Sequence, residues 1–286
     1  MRKRRRYTLK LPSRTLVLGE RTLVMGVLNV TPDSFSDGGV YLAAEAAARR
    51  ALEMEAEGAD LIDIGGESTR PGSDAVSGDT ELARVLPVLE RLRGRLRVPI
   101  SIDTQKAGVA EAALAAGAEM VNDVSALRTD PALGEVVRRA RVPLVLMQMR
   151  GRPKTMQQRP FARDVMKDVT QGLREALGRA RSAGIPRERI LLDPGIGFGK
   201  STAQNCELLA RLPELARLGR PLLVGTSRKT FLGALLGGAP EERRVWGTAA
   251  SVTAAVLGGA HIVRVHDAAE MVQVVRVADA IRGSGD

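Results

Sequence analysis

The sequence predicts a single (β/α)8 barrel preceded by a short β-hairpin. Two observations carry that prediction. Eight short apolar runs alternate with eight longer amphipathic or alanine-rich stretches along the 286 residues, and runs that are apolar throughout suit parallel strands covered on both faces. No low-complexity linker or shift of composition divides the chain, so a length that would admit two average domains is read as that of one barrel.

The elements follow in order. Tyr7–Leu11 and Thr15–Leu18, joined by a Pro12-Ser13-Arg14 turn, are expected to form the hairpin. Barrel strands are expected at Leu23–Leu28, Leu61–Ile64, Val98–Ile102, Met120–Val121, Pro143–Met147, Ile190–Leu192, Pro221–Val224 and His261–Val265. Helices are expected at Leu42–Glu57, Thr80–Leu92, Ala107–Ala116, Pro131–Ala140, Val165–Ala183, Asn205–Leu218, Glu241–Leu257 and Ala268–Ile281. With four Phe, two Tyr and one Trp, the core must be built from Leu, Val, Ile and Ala.

Composition excludes several classes of protein. Hydrophobic residues make up 44% and charged residues 27% of the chain, a globular balance rather than a disordered one. No apolar run approaches the roughly 18 to 20 residues of a membrane helix. One cysteine, Cys206, rules out an internal disulfide and a thiolate metal cluster, and His261 and His266 lack metal-ligand spacing. The net charge of +10 raises nucleic acid as a partner. However, Arg2, Lys3, Arg4, Arg5, Arg6, Lys10 and Arg14 stand among the first 14 residues with no acid, which leaves the remainder close to balance. Residues 1–14 are therefore read as a solvated basic tail running into the hairpin and 15–286 as the barrel domain, with neither nucleic acid nor membrane as a partner. The basic start lacks the apolar stretch of a secretory signal, so a cytoplasmic location is expected.

Active sites of such barrels lie at the C-terminal ends of the strands, where this sequence is polar. Asp103, Asn122 and Asp193 end three strands and would face one another. Burying them costs a few kcal/mol each unless they are hydrogen-bonded, and a heterocycle with several N–H donors would satisfy them. Alternation along the last strand puts Arg264 and His266 on one side and His261, as a packing residue, on the other. Together with Arg70 and Lys229 from neighbouring loops, Arg264 and His266 would form an anion site. Taken singly, Asn29, Asp123 and Asp267 would serve equally well as helix caps. The segments 30–39 and 66–75 exceed the roughly 2 to 6 residues usual for such connections, as substrate-ordered lids do. A nucleophile elbow, a P-loop and a dinucleotide fingerprint are all missing. Mg²⁺ held by Asn29, diphosphate oxygens and water would suit the mouth.

The segment Met25–Gly39 resembles the first signature of the dihydropteroate synthases, and Asp63–Ser73 resembles their second. Asp103-Thr104, Asn122-Asp123, Asp193–Lys200, Ser227-Arg228-Lys229 and Arg264-Val265-His266 match that family in order and spacing, so the resemblance runs from about residue 15 to 282. It implies a pterin-binding barrel in folate biosynthesis. Such an enzyme joins 6-hydroxymethyl-7,8-dihydropterin diphosphate to 4-aminobenzoate with Mg²⁺, giving 7,8-dihydropteroate and pyrophosphate. The resemblance further implies that Asp103, Asn122, Asp193 and Lys229 hold the pterin, with Met147 against its ring. Asn29, Thr69, Arg70, Arg264 and His266 would bind the diphosphate, and Asn29 would also bind the metal. Thr69, Arg70, Phe198 and Thr230 would surround aminobenzoate, while Asp33, Ser34, Phe35, Ser68 and Pro71 would belong to the closing loops. Asp103, Asp193, Lys229, Arg264 and His266 are the expected catalytic residues. Thr230 stands where the family often has Ser, and Gln148, where it commonly has His or another polar residue, is given no catalytic role. A homodimer through the outer helices, with Thr248–Leu257 as its candidate surface, and inhibition by sulfonamides are also implied. Two alternatives stay open: a methyltetrahydrofolate methyltransferase, which shares the pterin carboxylates but needs no diphosphate site, and a catalytically silent pterin-binding paralogue.

Overall fold

Strand alternation sorts the barrel's side chains into two populations. The computed structural model describes residues 4–31, 39–69, 72–151, 155–156 and 163–284. Its barrel strands are β3 (Leu23–Asn29), β4 (Leu61–Gly65), β5 (Ile100–Asp103), β6 (Met120–Asp123), β7 (Leu144–Met147), β8 (Ile190–Asp193), β9 (Leu223–Gly225) and β10 (Ile262–Val265). All pair in parallel in the order β8-β7-β6-β5-β4-β3-β10-β9, and a parallel bridge between Leu192 and Leu222 closes the ring. Outward-facing Val24, Ile62, Ile102, Val121, Leu144, Leu192, Val224 and Val263 join the larger core beneath the helices. Those helices are α1 (Gly39–Ala56), α2 (Gly78–Leu92), α3 (Ala107–Ala115), α4 (Ala132–Ala140), α5 (Val165–Ser182), α6 (Thr202–Ala210), α7 (Thr230–Leu235), α8 (Val245–Leu257) and α9 (Ala268–Gly283). Among the described residues, no helix is long and apolar enough to cross a membrane.

Inward-facing residues change character along the barrel axis. At the N-terminal end, Met25, Leu61, Met120, Val145, Leu191, Leu223 and Ile262 form a separate apolar cluster. Its floor is the antiparallel hairpin β1 (Tyr7–Lys10) and β2 (Thr15–Leu18), which contributes Leu9, Leu11 and Leu18 to the same cluster. Two residues further along β4, β6 and β8 the interior turns polar, and Asp63, Asn122 and Asp193 are buried there together with Ser101 and Asp103 of β5. The hairpin thus plugs one end, and function is confined to the other.

Some expectations need correction. The helix expected over Asn205–Leu218 ends at Ala210, and a 3₁₀ turn covers Leu212–Leu218. Pro213 stands at the start of that turn. Within a continuing helix it would lack an N–H and clash with the carbonyl four residues back. The stretch Glu241–Leu257 likewise divides into a 3₁₀ turn at Glu241–Arg243 and α8. Helix α7 was not anticipated, since six residues are too few to show a period. Nor is the basic start wholly solvated. Arg4 is buried, and its Nη2 donates to the Val256 carbonyl at 3.3 Å and to Asp279 Oδ1 at 3.1 Å. The guanidinium groups of Arg5 and Arg220 lie 5.3 and 5.2 Å from the Tyr7 ring centre, within cation–π range.

His261 is the packing residue expected. Its ring meets Tyr7 edge-on at 5.3 Å. Burial pushes it down to about 4, so it is neutral at physiological pH. Its Nδ1 accepts the Leu222 N–H at 3.1 Å, which places its proton on Nε2, 3.0 Å from the Arg5 carbonyl. Because Leu18 is fully buried in the plug, Leu18→Ala should cost about 2–5 kcal/mol. A lowered guanidinium midpoint with ligand affinity at the opposite end unchanged is the expected result.

Candidate active site

The polar half of the barrel is built from neighbouring strand ends. Register places Asp63 beside Ser101, Gly65 beside Asp103, Asp103 beside Asn122, and Met147 beside Asp193. Arg264 enters from β10, beside Gly225 and Met25. Its Nε donates to Asp63 Oδ2 at 2.6 Å and its Nη2 to Asp103 Oδ2 at 2.7 Å. Asn122 Nδ2 donates to the same Asp63 oxygen at 2.9 Å. One guanidinium therefore ties three strands together across the barrel interior. Asp63 Oδ1 and Ser101 Oγ, both fully buried, have no partner among the described residues.

Burial dominates the electrostatics. Desolvation raises Asp103 to about 7, opposed by the Arg264 charge and reinforced by Asp63. Asp193 rises to about 6, again from desolvation, opposed by the Gly195 N–H and then by the charges of Lys229 and Arg264. Such carboxylates are short of donors, and a ring presenting several N–H groups would supply them. Burial also pulls the Arg264 guanidinium down, but Asp63 and Asp103 outweigh it and hold the charge firmly in place.

The loop after β8 shapes one wall. Asp193 Oδ1 accepts the Gly195 N–H at 2.7 Å. Gly195 has φ +66°, and a Cβ there would fall 1.9 Å from the Gln148 carbonyl oxygen, so only glycine fits. Beneath this loop the buried Lys200 donates to Gln148 Oε1 at 2.7 Å and to the carbonyls of Gly195 at 2.8 Å and Phe198 at 3.1 Å. Desolvation pushes Lys200 down to about 7. Phe198 packs with Met147, Met149, Met156 and Val124, and Lys229 Nζ sits 4.0 Å from the centre of its ring. Aromatic face, thioether and ammonium together make a slot for a flat, electron-rich ligand.

The structure brings Asp103, Asn122, Met147, Asp193, Phe198 and Lys229 to one end of the barrel, and Arg264, expected in an anion site with His266, joins the carboxylates. His266 and Arg264 share a side of their strand end, but the guanidinium is committed to carboxylates, and His266 Nδ1 lies 3.0 Å from Ser227 Oγ. Asn29 is half-buried at the end of β3 beside Gly65. Ser68 and Thr69 are half-buried on the loop after β4, and Thr230 is exposed at the start of α7. Asp33, Ser34, Phe35, Arg70 and Pro71 lie outside the described residues. Asp267 does not cap α9 with its side chain; it pairs with Arg228, whose Nε donates to it at 3.1 Å. Asp123 holds the turn after β6 by accepting the Ser125 and Leu127 N–H groups.

Sequence reasoning missed Asp63, Ser101, Ser227 and Lys200 as parts of the site. The available signal was parity: Asp63 and Ser101 share the inward face with Gly65 and Asp103, two positions deeper in otherwise apolar strands.

Buried carboxylates beside an ammonium over an aromatic ring suit a flat ligand that presents several N–H donors, and the match of residues 25–266 to the model of the pterin binding enzyme family puts the chain among those enzymes. A dihydropteroate synthase of Synechocystis is 49% identical over 263 residues, covering 92% of this chain and 91% of its own. That of Escherichia coli is 47% identical over 257 residues, covering 90% of each. The solved Xanthomonas albilineans dihydropteroate synthase with 4-aminobenzoic acid has a TM-score of 0.90 and 48% identity, over 97% of this chain and 99% of that one. A second structure from that organism, in complex with 7,8-dihydropteroate, has a TM-score of 0.87 and 46% identity, over 96% and 98%. The chain belongs to the dihydropteroate synthase family.

The raised Asp193 sets a pH dependence whose sign can be worked out. Between the ordinary carboxylate value of 3.8 and about 6 the folded state holds the extra proton more tightly, so stability falls as pH rises through that window. Asp193→Asn should therefore stabilise the ligand-free protein at pH 8 by on the order of 3 kcal/mol. The gain should vanish as pH falls below about 4, as read from thermal midpoints across pH.

Proposed function

We propose that this chain condenses 6-hydroxymethyl-7,8-dihydropterin diphosphate with 4-aminobenzoate, releasing 7,8-dihydropteroate and pyrophosphate. The carrying observation is the convergence of Asp103, Asn122 and Asp193 inside the barrel, beside Lys229 stacked on Phe198. Asp103, Asn122, Asp193 and Lys229 hold the pterin, and Met147 packs against its ring. Asn29, Thr69, Arg70, Arg264 and His266 face the diphosphate. Thr69, Arg70, Phe198 and Thr230 surround the amine. Once pterin N–H groups satisfy Asp103, one arm of Arg264 is released toward the departing diphosphate.

Among the described residues no group of three or more His, Cys, Asp or Glu side chains is placed to hold a metal ion. A cation that travels with the substrate needs less. Mg²⁺ keeps most of its water and takes phosphate oxygens, and the half-buried amide oxygen of Asn29 fits as the one protein donor. When bound, the ion would neutralise charge on the leaving diphosphate. Asp103 and Asp193 stabilise the positive charge that spreads over the pterin as its exocyclic C–O bond breaks, so departure precedes attack by the weakly nucleophilic arylamine. The residues of 30–39 and 66–75, with Asp33, Ser34, Phe35, Ser68 and Pro71 among them, are proposed to shield that cation from water.

The protein works as a cytoplasmic homodimer on small molecules, without nucleic acid or membrane partners. Of the candidate surface Thr248–Leu257, one side is buried in the barrel, with Thr248, Val252, Ala255 and Val256 at or near zero exposure. The dimer surface therefore falls on the other side of α8, with Ala250 and Ala254, and extends to Trp246, which is 80% exposed, and to Leu235 and Leu236. Sulfonamides, which mimic aminobenzoate, should inhibit; a Yersinia pestis relative 45% identical to this chain is solved in a sulfonamide complex.

Two experiments follow. With pterin diphosphate, Mg²⁺ and aminobenzoate the protein should form dihydropteroate, and it should release pyrophosphate slowly when the amine is omitted. C–O cleavage that strictly awaits the amine would sink the dissociative order, and no product from folded protein would sink the whole reading. Trp246→Asp should shift the sedimenting species from dimer to monomer.

A further inference from the structure

Beside the barrel mouth, both ends of the loop that carries Thr69 converge on Glu67. Glu67 Oε1 accepts the Val76 N–H at 3.1 Å. Its Oε2 receives Lys106 Nζ at 2.8 Å and Gln105 Nε2 at 3.4 Å. The same Lys106 ammonium reaches Glu81 Oε2, in the first turn of α2, at 2.5 Å. The Glu67 and Glu81 side chains are 6% and 0% exposed. Further contacts press the loop base onto α2. The Gly66 carbonyl accepts Arg84 Nη1 at 2.7 Å, and a Cβ on Gly66 would fall 2.9 Å from Val85 and 3.0 Å from Glu81. Ser73 Oγ donates to the Ser68 carbonyl at 2.6 Å, drawing the loop in on itself.

Gln105 and Lys106 stand two and three residues past Asp103, which ends β5. One ammonium therefore joins the strand end that presents Asp103 to the loop that presents Thr69. An exposed ion pair would contribute little, and a buried one repays its desolvation poorly as stability alone. Holding two parts of a site in register is the better account. We infer that Glu67, Lys106 and Glu81 are positioning residues that set the pose of the Thr69 loop against the Asp103 strand end, and so govern aminobenzoate capture rather than pterin binding. This rests on the proposed placement of aminobenzoate beside Thr69.

The test uses the full-length enzyme with Glu67→Gln, Lys106→Met, Lys106→Arg and, as a reference, Thr69→Val. The first two should raise the KM for aminobenzoate about tenfold while shifting the Kd for 6-hydroxymethylpterin, which lacks the diphosphate that Thr69 also faces, and kcat less than about twofold. They should also speed amide hydrogen exchange across 66–77, and Lys106→Arg should restore near-normal values. Should Lys106→Met fail to fold, Glu67→Gln carries the test, since it leaves the Lys106–Glu81 pair in place. An equal loss of affinity for 6-hydroxymethylpterin, or a fall in kcat alone, would mean a merely structural role and overturn the inference. If Thr69→Val raises the aminobenzoate KM while Glu67→Gln does not, the clamp is wrong and the placement of aminobenzoate stands. If neither does, both fall together.

Discussion

The guanidinium of Arg264, shared between Asp63 and Asp103, is the interaction on which the rest of the interior depends. A carboxylate buried between strands needs a counter-charge, hydrogen-bond donors or a proton, because desolvation of the bare charge outweighs what packing gains. Removing one partner of such a group costs about 3–5 kcal/mol. Arg264 also makes the remaining asymmetry possible. Asp103 and Asp193 are left short of donors and poised near neutrality, at about 7 and about 6. A ligand rich in N–H groups would supply the donors that burial denies these carboxylates.

The two ends of the barrel divide the physical work. At one end the hairpin's Leu9, Leu11 and Leu18 seal an apolar interior, and nothing there needs to move. At the other, polar strand ends, glycine-bearing loops and the buried Lys200 beneath Phe198 hold a slot open toward solvent. Along β4, β6 and β8 the polarity change falls within two residues. A single step of alternation, as between Met120 and Asn122 or Leu191 and Asp193, therefore separates a residue that stabilises from one that binds.

Much of this was legible in the sequence because barrel strands advertise themselves as continuous apolar runs, and because Asp103, Asn122 and Asp193 interrupt those runs at their ends. Asp63 and Ser101 were harder to read. They lie inside strands, where a polar residue looks like a break in the pattern, and only the register of β4 against β5 shows that they share one face. The Arg264 pairing was hidden for another reason: it spans 161 residues to Asp103 and 201 to Asp63, and no local spacing encodes it. Arg4 read as one more tail cation because its acceptor, Asp279, stands at the far end of the chain. Pro213 was visible, but the apolar period on both sides of it masked its effect on α6.

The docking of the first residues has a consequence for how the chain is made. Arg4 and Thr22 meet Asp279 across 275 and 257 residues, and β3 pairs with β10 along its edge. The hairpin is synthesised well before the groups that fasten it down. At about 5–20 residues per second, that interval is on the order of 15–50 s. Throughout it Leu9, Leu11 and Leu18 have no completed barrel to plug. The nascent chain must therefore carry the hairpin's apolar face uncovered until α9 emerges to supply Asp279.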